Sequence, residues 1–393
     1  MRIIHCHPFD MTRYIYRLLG LIILALVFSC KSEFTSEFST ILIDPENSDS
    51  LINKVFESMD LKIINNRQIL KSSVIQTKIN DNKLFLLTED IKNHSCKILI
   101  YEWPDLIFID SIVSGIDGPY NIKYIKCFDV LNKRIYIMDA LYGFLHVYSF
   151  EGKFTKKYNL NSKEPFIFTH FIMINDSELI LDSDNAPNIE KCRLKYFNLQ
   201  TNHSKVLYYN SKMPGGMSWD RFDRDRNKIY FFTNLDPYIY VYNEKKIELD
   251  KFIYLDFEGK FLLQNDLPNE IVIDPTIIND IIDKNNKIYS IYSFYKFDDI
   301  ICFSFYYKNK FNIAIINLDN YNIELYKKVR NQNVNNFIEP NGIPIAKDGK
   351  SREIVFLEEI EYFDSKLSND LKVFNLHKNN IFKSDIFTIY QLN

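Results

Sequence analysis

One pattern recurs along this chain and constrains its fold more than any other feature: a polar turn followed by a run of apolar and aromatic residues. It appears as Asp81-Asn82-Lys83-Leu84-Phe85-Leu86-Leu87, Asn132-Lys133-Arg134-Ile135-Tyr136-Ile137-Met138, Asn175-Asp176-Ser177-Glu178-Leu179-Ile180-Leu181 and Arg226-Asn227-Lys228-Ile229-Tyr230-Phe231-Phe232. Weaker copies are Phe297-Asp298-Asp299-Ile300-Ile301-Cys302-Phe303 and Ser351-Arg352-Glu353-Ile354-Val355-Phe356-Leu357. The leading apolar residues fall at 84, 135, 179, 229, 300 and 354, leaving gaps of 51, 44, 50, 71 and 54. Those gaps lie near the ~40–50-residue period of propeller blades.

A second strand follows most copies, as in Ile98-Leu99-Ile100-Tyr101, Leu145-His146-Val147-Tyr148 and Tyr238-Ile239-Tyr240-Val241-Tyr242, and then a third, as in Gly152-Lys153-Phe154-Thr155-Lys156-Lys157-Tyr158. With a lead-in strand this makes four per repeat, the unit of a blade. Fully apolar central runs fit strands packed on both faces, and a two-sheet sandwich does not explain a six-fold recurrence. The expected fold is therefore all-β: a six-bladed β-propeller of four-stranded antiparallel blades over residues 55–393. In the long gap, Asp274-Pro275-Thr276-Ile277-Ile278 places an N-cap and an N1 proline before apolar residues at helical spacing. That predicts a short helical insertion between blades 4 and 5, and Glu358 to Leu371 is a second helical candidate. Met59-Asp60-Leu61-Lys62-Ile63-Ile64 is expected to pair with the last blade, because closing the ring removes its edges.

Composition agrees with sheet. There are 32 Phe and 26 Tyr but only 10 Gly, a bias toward residues that pack well on pleated surfaces. Basic and acidic side chains nearly balance, 48 against 51, which argues against a dedicated nucleic-acid binder.

The N-terminus carries an address. Arg13 and Arg17 precede the apolar run Leu18 to Phe28, and Ser29-Cys30 follows. A basic segment, a short apolar core and a small residue before the cut describe a secretory signal, and eleven apolar residues fall short of the roughly 20 that span a bilayer. The Cys directly after Ser29 resembles a bacterial lipobox, so residues 1–29 are read as a lipoprotein signal peptide and Cys30 as the lipidation site. Either Met1 or Met11 serves as the start. Lys31 after the cysteine points to the outer membrane, on its periplasmic or surface face. Residues 30–54, polar and rich in Ser, Glu and Asp, are read as a tether. Cys96, Cys127, Cys192 and Cys302 lie far apart without zinc-type spacing, and are expected to be buried free thiols.

The segment Gly115-Ile116-Asp117-Gly118-Pro119-Tyr120, with Arg134-Ile135-Tyr136-Ile137-Met138-Asp139 and Val147-Tyr148-Ser149-Phe150-Glu151-Gly152-Lys153-Phe154, resembles the six-bladed β-propeller lipoproteins of Gram-negative bacteria, relatives of the NHL and TolB-like propellers. Two positions depart from that pattern: no Glu precedes Tyr120, and Ser149 stands where the family has Asp. The resemblance implies fold and little chemistry.

Acidic residues cluster after the second strand of most repeats: Glu89 and Asp90, Asp139, Asp182 and Asp184, Asp236, Glu358 and Glu359. Such side chains either line a ligand-binding face or close hairpins by bonding to the backbone. Met213-Pro214-Gly215-Gly216-Met217-Ser218-Trp219-Asp220-Arg221 combines two glycines with one of two tryptophans. It reads either as a ligand-facing loop or as an inter-blade crossing with Trp219 packed inward. The histidines, including mid-strand His146, form no recognisable set, and no HExxH, GxSxG or Walker loop occurs. The preferred reading is a non-catalytic envelope lipoprotein whose propeller binds or scaffolds a glycan, peptide or protein partner, without cofactor or metal. Its ligand site is placed at Asp139, Tyr142, Asp182, Asp184, Trp219, Arg221 and Asp236. The alternative is a metal-dependent propeller hydrolase or lyase with its site at the central channel.

Overall fold

The computed structural model describes residues 37–44, 49–50, 59–62, 73–90, 95–115, 121–139, 142–160, 167–184, 194–207, 222–232, 237–262, 287–288, 291–308, 310–320, 323–327, 337–338, 343–348, 353–362 and 382–391. Two units divide the chain, Met1–Glu37 and Phe38–Asn393, and the sheets belong to the second. Three early strands, β1 (Glu37–Leu42), β2 (Asp49–Ser50) and β3 (Met59–Lys62), join sheets built from much later sequence.

Five sheets are runs of four consecutive antiparallel strands. The first comprises β4 (Ser73–Asn80), β5 (Lys83–Asp90), β6 (Ser95–Glu102) and β7 (Phe108–Val113), and the second β8 (Ile125–Leu131), β9 (Arg134–Asp139), β10 (Phe144–Ser149) and β11 (Phe154–Asn159). The third holds β12 (Ile167–Asn175), β13 (Glu178–Asp184), β14 (Leu194–Asn198) and β15 (His203–Val206). In the fourth, β16 (Phe222–Asp225), β17 (Lys228–Phe232), β18 (Tyr238–Asn243) and β19 (Glu248–Asp256) gain β1 as an outer strand. The fifth, β20 (Ile291–Phe297), β21 (Ile300–Tyr307), β22 (Lys310–Asn317) and β23 (Ile323–Lys327), gains β2 in parallel. The protein is an all-β propeller of four-stranded antiparallel blades.

The sixth sheet departs from the expected equal repeats. Its strands β24 (Phe337–Ile338) and β25 (Ile343–Asp348) both pair with β26 (Glu353–Tyr362), which pairs with β27 (Phe382–Gln391). The outer position is filled by β3, in the register Leu61 opposite Thr388 and Asp60 opposite Ile389. Five blades, not six, are thus continuous in sequence, and the expected pairing of residues 59–62 with the last repeat is present.

Two sequence expectations change, and a third is untested. Residues 37–42 and 49–50, read as part of a free tether, are strands on blade edges. Glu358 to Tyr362, read as the start of a helix, continue β26 opposite Ile386 to Phe382, because ladder pairing overrides helical spacing in so short a window. The helix expected at Asp274 to Ile282 lies outside the described residues, among which there is no helix.

The polar turns do what their residues favour. Asp81-Asn82 and Asn132-Lys133 have φ of 46°, 59°, 51° and 57°, the left-handed geometry of tight two-residue hairpins. Across the ring, innermost strands lie side by side in the order β4, β8, β12, β16, β20, β25 and back to β4. Polar latches join several of them. Gln76 donates to the Phe128 carbonyl and accepts its N–H, both at 2.9 Å. Asp129 accepts the Met173 N–H at 2.8 Å, and Asp223 accepts the Lys296 N–H at 2.6 Å. Between successive sheets the packing is apolar; Phe85, Ile98, Ile135 and Ile137, for example, fill the space between the first two. Burial of each such side chain contributes about 1.5–3 kcal/mol.

This topology gives the propeller two faces. One, the hairpin face, carries first-to-second and third-to-fourth strand turns; ion pairs Arg134–Asp176 (2.8 Å) and Arg226–Asp298 (3.9 Å) bridge turns of adjacent sheets there. The other, the crossing face, carries second-to-third loops and the links between blades.

Candidate functional site

The crossing face between the first two sheets holds a group of polar side chains at strand ends. Asp139 ends β9 and pairs across the sheet with Phe144 of β10. Facing residues share one side of the pleat, so Asp139, Phe144 and His146 project together. Asp139 is fully buried, and its Oδ2 accepts the Lys123 N–H at 3.0 Å, tying down the link into β8. His146 is also fully buried. Its Nε2 lies 4.0 Å from Asp139 Oδ2, too far for a hydrogen bond, and neither ring nitrogen has a hydrogen-bond partner among the described residues. Burial lowers its pKa to about 4, against the pull of Asp139 and with the push of Lys157, so the imidazole is neutral at pH 7. Phe144 and Phe154 meet it edge-on at 6.2 and 6.3 Å.

Toward the facing sheet, Tyr124 of the link donates to Glu89 at 3.2 Å, and the Cys96 backbone N–H donates to the Ser114 hydroxyl at 2.8 Å. Burial, with Glu89 nearby, pushes the Cys96 thiol up to about 11; at neutral pH it is protonated and a poor nucleophile. Tyr124 is pushed up to about 12 by burial and by its acidic neighbours. Bonds of this group tie the crossing segments to the strand ends.

Beside it lies an exposed ledge. Tyr142, 48% exposed, opens the turn into β10, with its ring 6.4 Å from Phe144. Lys157 sits over the Phe144 ring at 4.2 Å, a cation–π distance. The site residues expected from sequence therefore separate. Tyr142 is surface-facing, whereas Asp139 and Asp182 are fully buried. Asp139 bonds to the backbone N–H of Lys123, in the link into β8, rather than closing its own hairpin. Asp184 ends β13 opposite Ile167. Trp219, Arg221, Asp236 and Cys30 lie outside the described residues. Phe144, His146 and Lys157 were not singled out as a group. The signal was the alternation Phe144-His146, which places two rings on one side of β10, with Tyr142 in the turn before it. Glu358 and Glu359 fall within β26 rather than after it.

Cys96, Cys127 and Cys302 are buried and free, as expected, and burial pushes Cys302 up to about 12. Cys192 lies outside the described residues. Among those residues, no group of three His, Cys, Asp or Glu is placed to hold a metal, and no helix is long and apolar enough to cross a membrane.

The fold defines a class, the β-propeller, and comparisons with solved structures agree on that fold. The chain is similar to a protein named as exported in Bacteroides fragilis, at 13% identity and a TM-score of 0.64 over 91% of this chain and 100% of that one. It is also similar to a member of the DUF4221 family from Bacteroides vulgatus, at 12% identity and a TM-score of 0.50 over 86% of this chain and 98% of that one. At these identities the likeness is one of fold. No protein-family model matches the sequence, and no curated protein sequence matches it.

Proposed function

We propose that this is a non-catalytic envelope lipoprotein, acylated at Cys30, whose propeller displays a binding ledge on its crossing face to a glycan, peptide or protein partner. The observation that carries the reading is the contrast on that face. The ionisable groups Asp139, His146 and Cys96 are buried, while Tyr142, Phe144 and Lys157 present rings and a cation at the edge. Aromatic faces beside a charge bind polar, ring-bearing ligands through stacking and oriented hydrogen bonds. Likeness to a protein named as exported supports the envelope location, and the signal-like N-terminus supports acylation.

In this reading the ring has six blades. The sixth sheet counts as a blade because β25 adjoins both β20 and β4 and β3 supplies its outer strand. The NHL and TolB-like kinship rests on the motifs around Gly115 to Phe154. A photo-crosslinking residue at Tyr142, compared in intact cells with one at Val206, tests the function. The ledge predicts an adduct from position 142 that position 206 lacks; matching adduct patterns overturn it. A stoichiometric bound metal with an EDTA-sensitive melting transition would instead favour the channel hydrolase or lyase.

A further inference from the structure

The third-to-fourth strand turns follow one rule in four sheets and break it in one. Ser149 Oγ accepts N–H groups of Glu151 and Lys153, at 3.2 and 3.4 Å. Asn198 Oδ1 accepts those of Gln200 and Thr201, and Asn243 Oδ1 those of Lys245 and Lys246, all at 3.0 Å. Asn317 Oδ1 accepts those of Asp319 and Asn320, at 2.9 and 3.3 Å. Each polar side chain folds a polar tip.

The first sheet instead uses Trp103-Pro104-Asp105-Leu106-Ile107-Phe108. Backbone bonds hold this loop: Leu106 N–H to Glu102 carbonyl, Glu102 N–H to Ile107 carbonyl and Trp103 N–H to Asn82 carbonyl, each 2.8 Å. Leu106 has φ of 59°, an unfavourable conformation for a branched side chain, and such strain gathers at functional positions. Ile107 and Phe108 follow it, 56% and 45% exposed, with the Phe108 ring edge-on to Tyr101 at 5.6 Å.

Chain entry lies on the same face. The sheet order sets β1 beside β19, and Ile43, just after β1, donates to the carbonyl of Asp256, the last residue of β19, at 2.7 Å. The two strands therefore run the same way, and β1 starts at the hairpin end of its sheet. Glu37 stands seven positions after Cys30, a leash of at most about 25 Å. The Trp103–Phe108 loop sits three sheets away round the ring.

We infer that the hairpin face rests on the lipid bilayer, held by the acylated N-terminus at the β1 edge and by Ile107 and Phe108 inserted at the opposite edge. The inference rests on the lipoprotein reading. Two apolar side chains add little affinity alone, but beside an anchor they fix orientation. Lying flat this way turns the Tyr142 ledge away from the membrane.

The test uses the full chain reconstituted in vesicles of phosphatidylethanolamine and phosphatidylglycerol. An environment-sensitive fluorophore is placed at Ile107→Cys or, as control, Tyr142→Cys, against unsubstituted protein to correct for native thiols. Docking predicts at least about a twofold rise in emission at 107, quenched by headgroup-level nitroxide lipid, with no change at 142. If the protein floats with the vesicles but 107 is unquenched, docking is wrong and the anchor stands; a bright, unquenched signal there indicates a protein contact instead. If it does not float, both the anchor and docking fall.

Discussion

Replacing His146 with Phe isolates the energetic cost of a buried imidazole that has no hydrogen-bond partner among the described residues. His146 is fully buried, touches Phe144 and Phe154, and has a pKa lowered by burial to about 4. In the unfolded chain it returns to near 6.5. Between those values the unfolded state binds a proton that the folded state excludes. His146 therefore leaves stability intact above about pH 6.5 and erodes it as pH falls toward 4. The gap between about 4 and 6.5 corresponds to about 3 kcal/mol. Phe fits the aromatic surroundings and does not titrate. Denaturant unfolding of wild type and His146→Phe at pH 7.5 and 4 should show wild type losing about 3 kcal/mol more than the variant. Parallel losses would mean that His146 is already protonated, or solvated, in the folded state, and would refute the argument.

Two further outcomes follow from the same geometry. Gln76→Leu leaves the Phe128 N–H and carbonyl unpaired between β4 and β8 and should cost about 1–3 kcal/mol, read as a lower denaturation midpoint with an unchanged slope. Asp139→Ala should destabilise by a similar amount through the lost Lys123 N–H bond, whereas Tyr142→Ala should leave melting within about a degree. A Tyr142→Ala loss equal to that of Asp139→Ala would make the ledge part of the core.

The strand pattern was legible because most blades repeat the same physics: a tight polar turn, an apolar central strand and, in four sheets, an outer hairpin closed by a polar side chain. Ser149 shows why the motif tolerated change, since a hydroxyl closes the hairpin as the expected Asp would. The composite sixth sheet was legible only in part. Residues 59–64 read as a closing strand; Asp49–Ser50, which joins the fifth sheet beside β23, gave no strand signal. The acids at strand ends could not be sorted by sequence, because a carboxylate that faces ligand and one that bonds a crossing amide have the same spacing. Asp139 and Tyr142 stand three residues apart with opposite fates, one fully buried and one exposed.

The central claim is that one ring is closed by an early strand on the last one, and a cross-strand disulfide tests it most directly. Asp60→Cys with Ile389→Cys joins Cα partners of β3 and β27, while Met59→Cys with Ile389→Cys is one residue out of register. The account predicts that mild oxidation of the folded protein links the first pair readily, shown by altered mobility on a non-reducing gel, and links the second poorly. Absence of the Asp60–Ile389 link, or equal linking of both pairs, would contradict closure by β3.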